Sequence, residues 1–246
     1  MDRSLYIAMS GAKQTLLAQA SNANNLANSQ TTGFKSDLEQ FRAMPVFGPG
    51  FPTRVYAMAE RPGTDLSMGS IHTTGNDLDV AIKGEGWFAV EGQDGQEAYT
   101  RAGDLRITPE GRLETGTGVA IYGNDGPISI PPAEKIDIGN DGTISIVPVG
   151  ENATTLAVID RIKLVKPELS NLEKLNDGFM HTKDGSLPVA DASVSIVQGA
   201  LEGSNVNAVS ALVEMIELAR NFELQTKVMK SADDNSGISA KLMQMA

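Results

Sequence analysis

The sequence predicts an α+β protein with a long helix near each end and an all-β, antiparallel module between them. Three observations carry that prediction. Apolar residues recur at spacings of three and four near both ends, five Asp-Gly dipeptides and many short apolar runs fill the middle, and a Pro- and Gly-containing stretch separates the first helix from the β texture.

Leu5, Met9, Ala12, Leu16, Ala20, Ala23 and Ala27 share one face, which predicts a helix of roughly 24 residues, about 36 Å long at ~1.5 Å per residue. Its contact side is small. Ala8, Gly11, Ala12, Ala20, Ala23 and Ala27 let another helix approach closely, although a thin cover helix of one domain also fits. Asn22, Asn24, Asn25 and Asn28 crowd the end of the pattern. Asn is a poor helix-interior residue and bonds readily to nearby backbone, so the helix should stop near Asn28, with Gly33 turning the chain. Residues 1–32 read as an N-terminal assembly helix.

In residues 33–68 the periodicity fails. Pro45, Pro49, Pro52 and Pro62 exclude a regular helix or a central strand, and an extended arm is the simplest expectation. Phe41, Met44, Val46, Phe47, Phe51, Val55, Tyr56 and Met58 are too many apolar residues for a solvated linker. The arm should lie on its own domain or on a neighbouring molecule.

Residues 69–200 read as the β module. Runs at 80–82, 87–90, 99–101, 105–108, 119–122, 128–130, 136–138, 144–147 and 157–165 alternate with turn residues. The Asp-Gly pairs begin at Asp94, Asp125, Asp141, Asp177 and Asp184, and the dipeptide favours tight turns because its glycine accepts positive φ. Ile144 and Ile146 point one way and Ser145 the other, as in a half-buried antiparallel sheet.

Residues 201–246 carry a second helical pattern. Val206, Val209, Val213 and Ile216 form one stripe, and Leu212, Met215, Ala219, Phe222, Thr226 and Met229 run beside it. The remaining arc holds Ser210, Glu214, Glu217, Asn221 and Gln225. So wide an apolar side needs more than one neighbour, which marks an assembly element. Asp233, Asp234, Asn235 and Gly237 weaken the pattern before it resumes over 238–245, so a kink and a straight continuation both fit.

Composition narrows the function. A net charge of -11 opposes the phosphate neutralisation that nucleic-acid binding requires, so nucleic acid is not an expected partner. There is no cysteine for a disulfide, a thiolate nucleophile or a cysteine zinc site. No stretch approaches the ~20 apolar residues of a membrane helix, and the opening residues lack the pattern of a cleaved signal peptide, so neither membrane insertion nor cleavage is expected. His72 and His181 stand in turn-rich segments without a nearby partner in sequence. Gly84 and Gly86 are followed by no helix pattern, so they read as a turn that brings Trp87 into the core and not as a phosphate loop. No catalytic constellation is marked. A β-rich hydrolase using an unidentified carboxylate pair is the competing function class, and it predicts turnover that survives loss of both ends of the chain.

Three separated segments carry a resemblance that covers nearly the whole chain. ANNLANSQTTGFK at 23–35, TGNDLDVAIKGEGWFAV at 74–90 continued by YTRAG at 99–103, and SNVNAVSALVEMIELARNFELQTKVM at 204–229 resemble, in order, the motifs of bacterial flagellar rod and hook proteins. Asp77 stands where the family more often has Pro, and Trp87 with Phe88 where it has a Phe pair; turn-forming and bulky character are kept. Within the family, the opening MDRSLYIAMSGA is most similar to the proximal rod type, with the distal rod or hook type second.

The resemblance implies a structural protein, not an enzyme, with no cofactor and no metal. It implies terminal helices packed as a coiled-coil-like pair that polymerise into the rod's tubular core, with the β domain outward. Partners would be other copies of the chain, other rod proteins and the flagellar type III export apparatus, and the location would be the periplasmic rod, reached without signal-peptide cleavage. Subunit contacts would then fall on Leu5, Met9, Ala12, Leu16, Ala20, Ala23, Asn25, Asn28 and Phe34, and on Val206, Val209, Leu212, Val213, Ile216, Ala219, Phe222 and Met229. Glu214, Glu217, Asn221 and Gln225 would line a central channel, or form an ordinary solvated face.

Overall fold

The structure, a computed structural model, describes residues 4–45, 47, 55–150 and 156–244. Val46, Pro49, Phe51 and Pro52 of the expected arm, and Met245 of the last apolar pattern, lie outside the described residues. The chain divides into two compact units. One comprises Met1–Asn28, Asp37–Gly63 and Val206–Ala246, the other Ser29–Ser36 and Thr64–Asn205.

The first unit holds helices α1 (Ser4–Ala27) and α2 (Ala208–Gln244) and strands β1 (Asp37–Pro45) and β2 (Val55–Thr64). α1 has the predicted 24 residues and ends at the asparagine cluster, where Asn28 donates its backbone N–H to the Asn24 carbonyl at 3.1 Å. α2 runs through Asp233–Gly237 without a break in its helical assignment, so these residues weaken the pattern without ending the helix. β1 and β2 pair as a two-stranded sheet, in which both strands are edges. That explains how Pro45 is accommodated, since an edge tolerates a missing donor.

The two helices pack antiparallel, with Asn22 at Ala211 and Gly11 at Gln225, but the expected coiled-coil-like pairing is not what the structure shows. A coiled coil buries large apolar knobs at its a and d positions. Here Met9, Leu16, Val209, Leu212, Val213 and Ile216 are exposed. What α1 buries is Ala8, Gly11, Ala12, Thr15, Ala18 and Asn22, and what α2 buries is Ala211 and Leu218. Two of these make polar bonds. The Thr15 hydroxyl donates to the Gly11 carbonyl at 2.9 Å, and the Asn22 amide donates to the Ala211 carbonyl at 2.7 Å. The seam is therefore a close approach of small and hydrogen-bonded residues. The correction has a sequence-level cause: a strip of Ala, Gly and Thr has no knobs to insert.

The second unit is built from short antiparallel strands. In chain order they are β3 (Ile71–Thr73), β4 (Val80–Lys83), β5 (Trp87–Glu91), β6 (Glu97–Thr100), β7 (Leu105–Ile107), β8 (Leu113–Thr115) and β9 (Ala133–Ile138). They continue as β10 (Thr143–Pro148), β11 (Ala157–Arg161), β12 (Leu164–Val165), β13 (Leu172–Lys174), β14 (Met180–Thr182), β15 (Ser195–Gln198) and β16 (Ala200–Glu202). The larger sheets have the orders β12-β5-β6-β14-β13 and β11-β10-β9; β15 pairs β4, β16 pairs β3, and β7 pairs β8. The expected runs at 119–122 and 128–130 make isolated bridges, such as Val90 with Ile121 and Arg112 with Ser129, instead of strands.

All five glycines of the Asp-Gly pairs have positive φ, between 68° and 128°. Three of the pairs close the β5-β6, β9-β10 and β13-β14 hairpins, as the dipeptide predicts. Ile144 and Ile146 are buried and Ser145 is half-buried, which is the alternation read from the sequence. One core gathers Val80, Ile82, Phe88, Val90, Leu113, Ile121, Ile144, Ile146 and Ile196, and a smaller cluster holds Trp87, Ala89, Tyr99, Val165, Leu172 and Met180. Each large side chain buried there contributes roughly 1.5–3 kcal/mol of transfer free energy.

Candidate functional site

Two features stand out among the described residues: the apolar surface that the helical unit leaves uncovered, and a buried polar cluster in the β unit that unites the sequence motifs. On α2, Val209 (71% exposed), Leu212, Val213 and Ile216 (54%) form a continuous stripe one helical face wide. Val206, Ala219, Phe222 and Met229 are half-buried at its margins. On α1, Met9, Leu16, Ala20 and Ala23 are exposed, Leu5, Asn25 and Asn28 are half-buried, and Ala12 is spent on the helix pair. Asn25 is engaged locally, with its amide donating to the Asp37 carbonyl at 2.9 Å and its oxygen accepting the Asp37 N–H at 3.0 Å. Of the polar arc, Glu214, Glu217 and Asn221 are exposed. Gln225 instead lies over Gly11, where an added Cβ would come within 3.0 Å of its Cδ. The β1-β2 ribbon adds exposed Leu38, Phe41 and Met44.

In the β unit, Glu202 is 1% exposed and faces Lys35 (3%) and Arg101 (4%). Lys35 Nζ donates to Glu202 Oε1 at 2.7 Å, and Arg101 Nη1 to Oε2 at 2.8 Å. The Gly69 N–H donates a third bond, to Oε1 at 3.0 Å. Arg101 Nη2 also holds the Gly84 carbonyl at 2.7 Å, and its guanidinium stacks 5.4 Å from the Trp87 ring. Burial pulls both cations below their usual pKa ranges, and the Glu202 carboxylate opposes that pull. Charges so buried are tolerated because they are paired with one another, although Arg101 Nε finds no hydrogen-bond partner, and removing one member would leave the others uncompensated.

This cluster explains motifs that the sequence displayed without reasons. TTGFK supplies Lys35, KGEGW the turn under Arg101, and YTRAG supplies Arg101 itself. Phe34 is half-buried beneath Lys174, whose Nζ stands 4.1 Å from the ring centre and donates to the Lys35 carbonyl at 2.8 Å. Sequence reasoning missed Glu202 altogether. Its one signal is a carboxylate at a position where the strand alternation demands a buried residue, between half-buried Leu201 and Gly203.

Gly33 is fixed twice over. Its φ is +67°, and a Cβ would lie 2.3 Å from the Ala102 N. Gly33→Ala is therefore expected to destabilise the β unit by about 2 kcal/mol or more through strain and backbone displacement, read as a lowered denaturant midpoint. Gly11→Ala meets only the movable end of Gln225 and sits within a helix, so it should be neutral or mildly stabilising.

Among the other candidates, His181 pairs with Asp177 at 2.8 Å, across the turn of its own hairpin, and His72 bonds Ser70 at 2.8 Å. Gly84 and Gly86 have positive φ, and Trp87 is buried behind them, as the turn reading expected. No described helix is long and apolar enough to cross a membrane.

Comparison with known proteins places these features. Residues 5–35 match the family described as flagella basal body rod protein, 81–146 match the flagellar hook protein FlgE/F/G D1 domain, and 197–242 match the flagellar basal body rod FlgEFG protein C-terminal family. Terminal helices around such a D1 domain define a flagellar rod or hook protein. The flagellar basal-body rod protein FlgF of Escherichia coli is 43% identical over the full length of both chains, and that of Salmonella typhimurium is 41% identical over the same extent. The FlgG rod protein of Agrobacterium fabrum is 34% identical over 97% of this chain and 98% of its own. The chain belongs to the FlgF family of flagellar basal-body rod proteins.

Proposed function

We propose that the chain is a structural subunit of the proximal part of the flagellar rod and polymerises through its terminal helices into a tube that transmits torque. The single observation that carries the reading is the uncovered apolar stripe of α2, with Val209 at 71% and Ile216 at 54% exposure in a helix already packed on α1 along another face. An exposed apolar stripe of that kind marks a surface that other subunits cover on assembly.

Met9, Leu16, Ala20 and Ala23 extend the same contact, with Leu5, Ala12, Asn25, Asn28, Phe34, Val206, Leu212, Val213, Ala219, Phe222 and Met229 completing or supporting it. Glu214, Glu217 and Asn221 form the polar wall of the channel, with Gln225 at its α1 edge. Partners are further copies and other rod proteins; the type III export apparatus delivers the chain to the periplasm without signal-peptide cleavage. The role needs neither catalysis nor a cofactor. Isolated basal bodies carrying a tagged copy should show the tag in the rod, and a tag confined to the hook or absent from the particle would sink the assignment.

A further inference from the structure

We propose that Glu202 and Asn205 form a clamp inside the β unit that ties together the three segments by which the chain enters and leaves it, so that force carried along the chain is taken up by the β unit at one bonded cluster. The mechanical half of this rests on the rod reading; the clamp itself does not.

The backbone passes between the units after Asn28, Ser36, Gly63 and Asn205. Within the β unit, those passages all belong to three segments, 29–36, 64–70 and 202–205. Side chains of the third segment reach both of the others. Glu202 Oε1 accepts from Lys35 Nζ in the first segment at 2.7 Å and from the Gly69 N–H in the second at 3.0 Å, while Oε2 binds Arg101 in the body of the unit at 2.8 Å. Asn205 repeats the pattern. Its Oδ1 accepts the Ser36 N–H at 2.9 Å, and its Nδ2 donates to the Asp65 carbonyl at 2.8 Å. Backbone bonds close the ring: Gly33 N–H to the Glu202 carbonyl at 2.8 Å, Asp65 N–H to Ser36 at 2.8 Å, and Gly203 N–H to Ser70 at 2.8 Å. Each segment is thus bonded to the other two.

A charged residue suits this position for a reason beyond strength. β16 pairs with β3 in the register Glu202 to Ile71. A slip of one residue would turn Glu202 away from both cations and bury Leu201 beside them. An apolar residue there would tolerate the slip; the carboxylate does not, so the third segment has one way to close.

Native-state hydrogen exchange on the full purified chain tests the clamp, using Glu202→Gln and, in case that variant folds poorly, Asn205→Ala. The amides of Gly33, Asp65 and Gly69 should accelerate at least tenfold more than those of Leu113 and Ile121, which are bonded inside the core. Equal acceleration of both sets, or none in the first, overturns the clamp. Cells carrying Asn205→Ala should lose swimming speed more steeply with medium viscosity than the parent; an unchanged viscosity dependence overturns the mechanical half and leaves the exchange result standing. Motility indifferent to deletion of the chain would instead overturn the rod reading.

Discussion

Cells whose chain carries Ile216→Asp are expected to be non-motile, while the purified variant keeps the β unit's unfolding transition unchanged. Ile216 is 54% exposed on α2, at the C-terminal end of the stripe that begins with Val209, Leu212 and Val213. In the isolated chain the new carboxylate stays solvated, and a surface change of this sort costs within about ±0.5 kcal/mol. In an assembly the same group must be desolvated without a partner. Each copy then loses about half of the ~1.5–3 kcal/mol that full burial of the side chain contributes, because Ile216 is already half covered, and the desolvated charge costs several kcal/mol more. Because the defect recurs in every copy, swim-plate diameter and the yield of complete basal bodies should both collapse. Full motility of the variant would show that this stripe is not a subunit contact.

The second large effect belongs to the β unit. Phe88→Ala should destabilise it by ~3–5 kcal/mol, lowering its melting temperature by roughly 6–20 °C. Phe88 is 0% exposed, pairs with Leu164 across the β5-β12 ladder and belongs to the main core with Val80, Leu113 and Ile121, so the deleted ring leaves a cavity that short strands pinned by tight turns cannot close. Val189→Ala, at 85% exposure, is the matched control and should leave the transition where it is. Calorimetry of both variants checks the pair, and similar small shifts in the two would contradict the core placement of Phe88.

The elements legible in the sequence were those written in a periodicity. α1 was delimited by its repeat and its asparagine stop, and β5, β9 and β10 by apolar runs beside Asp-Gly turns. The features that escaped depend on tertiary pairing. β13 and β14 are three residues each and contain Glu173, Lys174 and His181, so they carry no apolar run to read. The β1-β2 ribbon hid behind its prolines, which argue against a central strand but not against an edge. The coiled-coil-like expectation failed because the resemblance supplied a pair of helices, whereas the side chains on α1 decide what kind of pair forms, and Ala8, Gly11, Thr15 and Asn22 cannot act as knobs. Lys35 and Arg101 were visible as letters of motifs. Their common partner was not, because Glu202 is 167 residues from Lys35 and 101 from Arg101 in sequence.

The unequal lengths of the two helices have a kinetic consequence. α1 has 24 residues and α2 has 37, and with Gly11 opposite Gln225 the far end of α2 runs past the start of α1. Every residue from 233 to 241 is exposed, including Ile238, and the stretch contains Gly237. Those turns have only the thermodynamics of a peptide helix, whose stability in water is marginal at such length. They should open and close on the submicrosecond scale of helix-coil relaxation while the rest of α2 holds. The tip of α2 is in effect a reporter: quiet when something docks along it, and the first part of the protein to melt when nothing does.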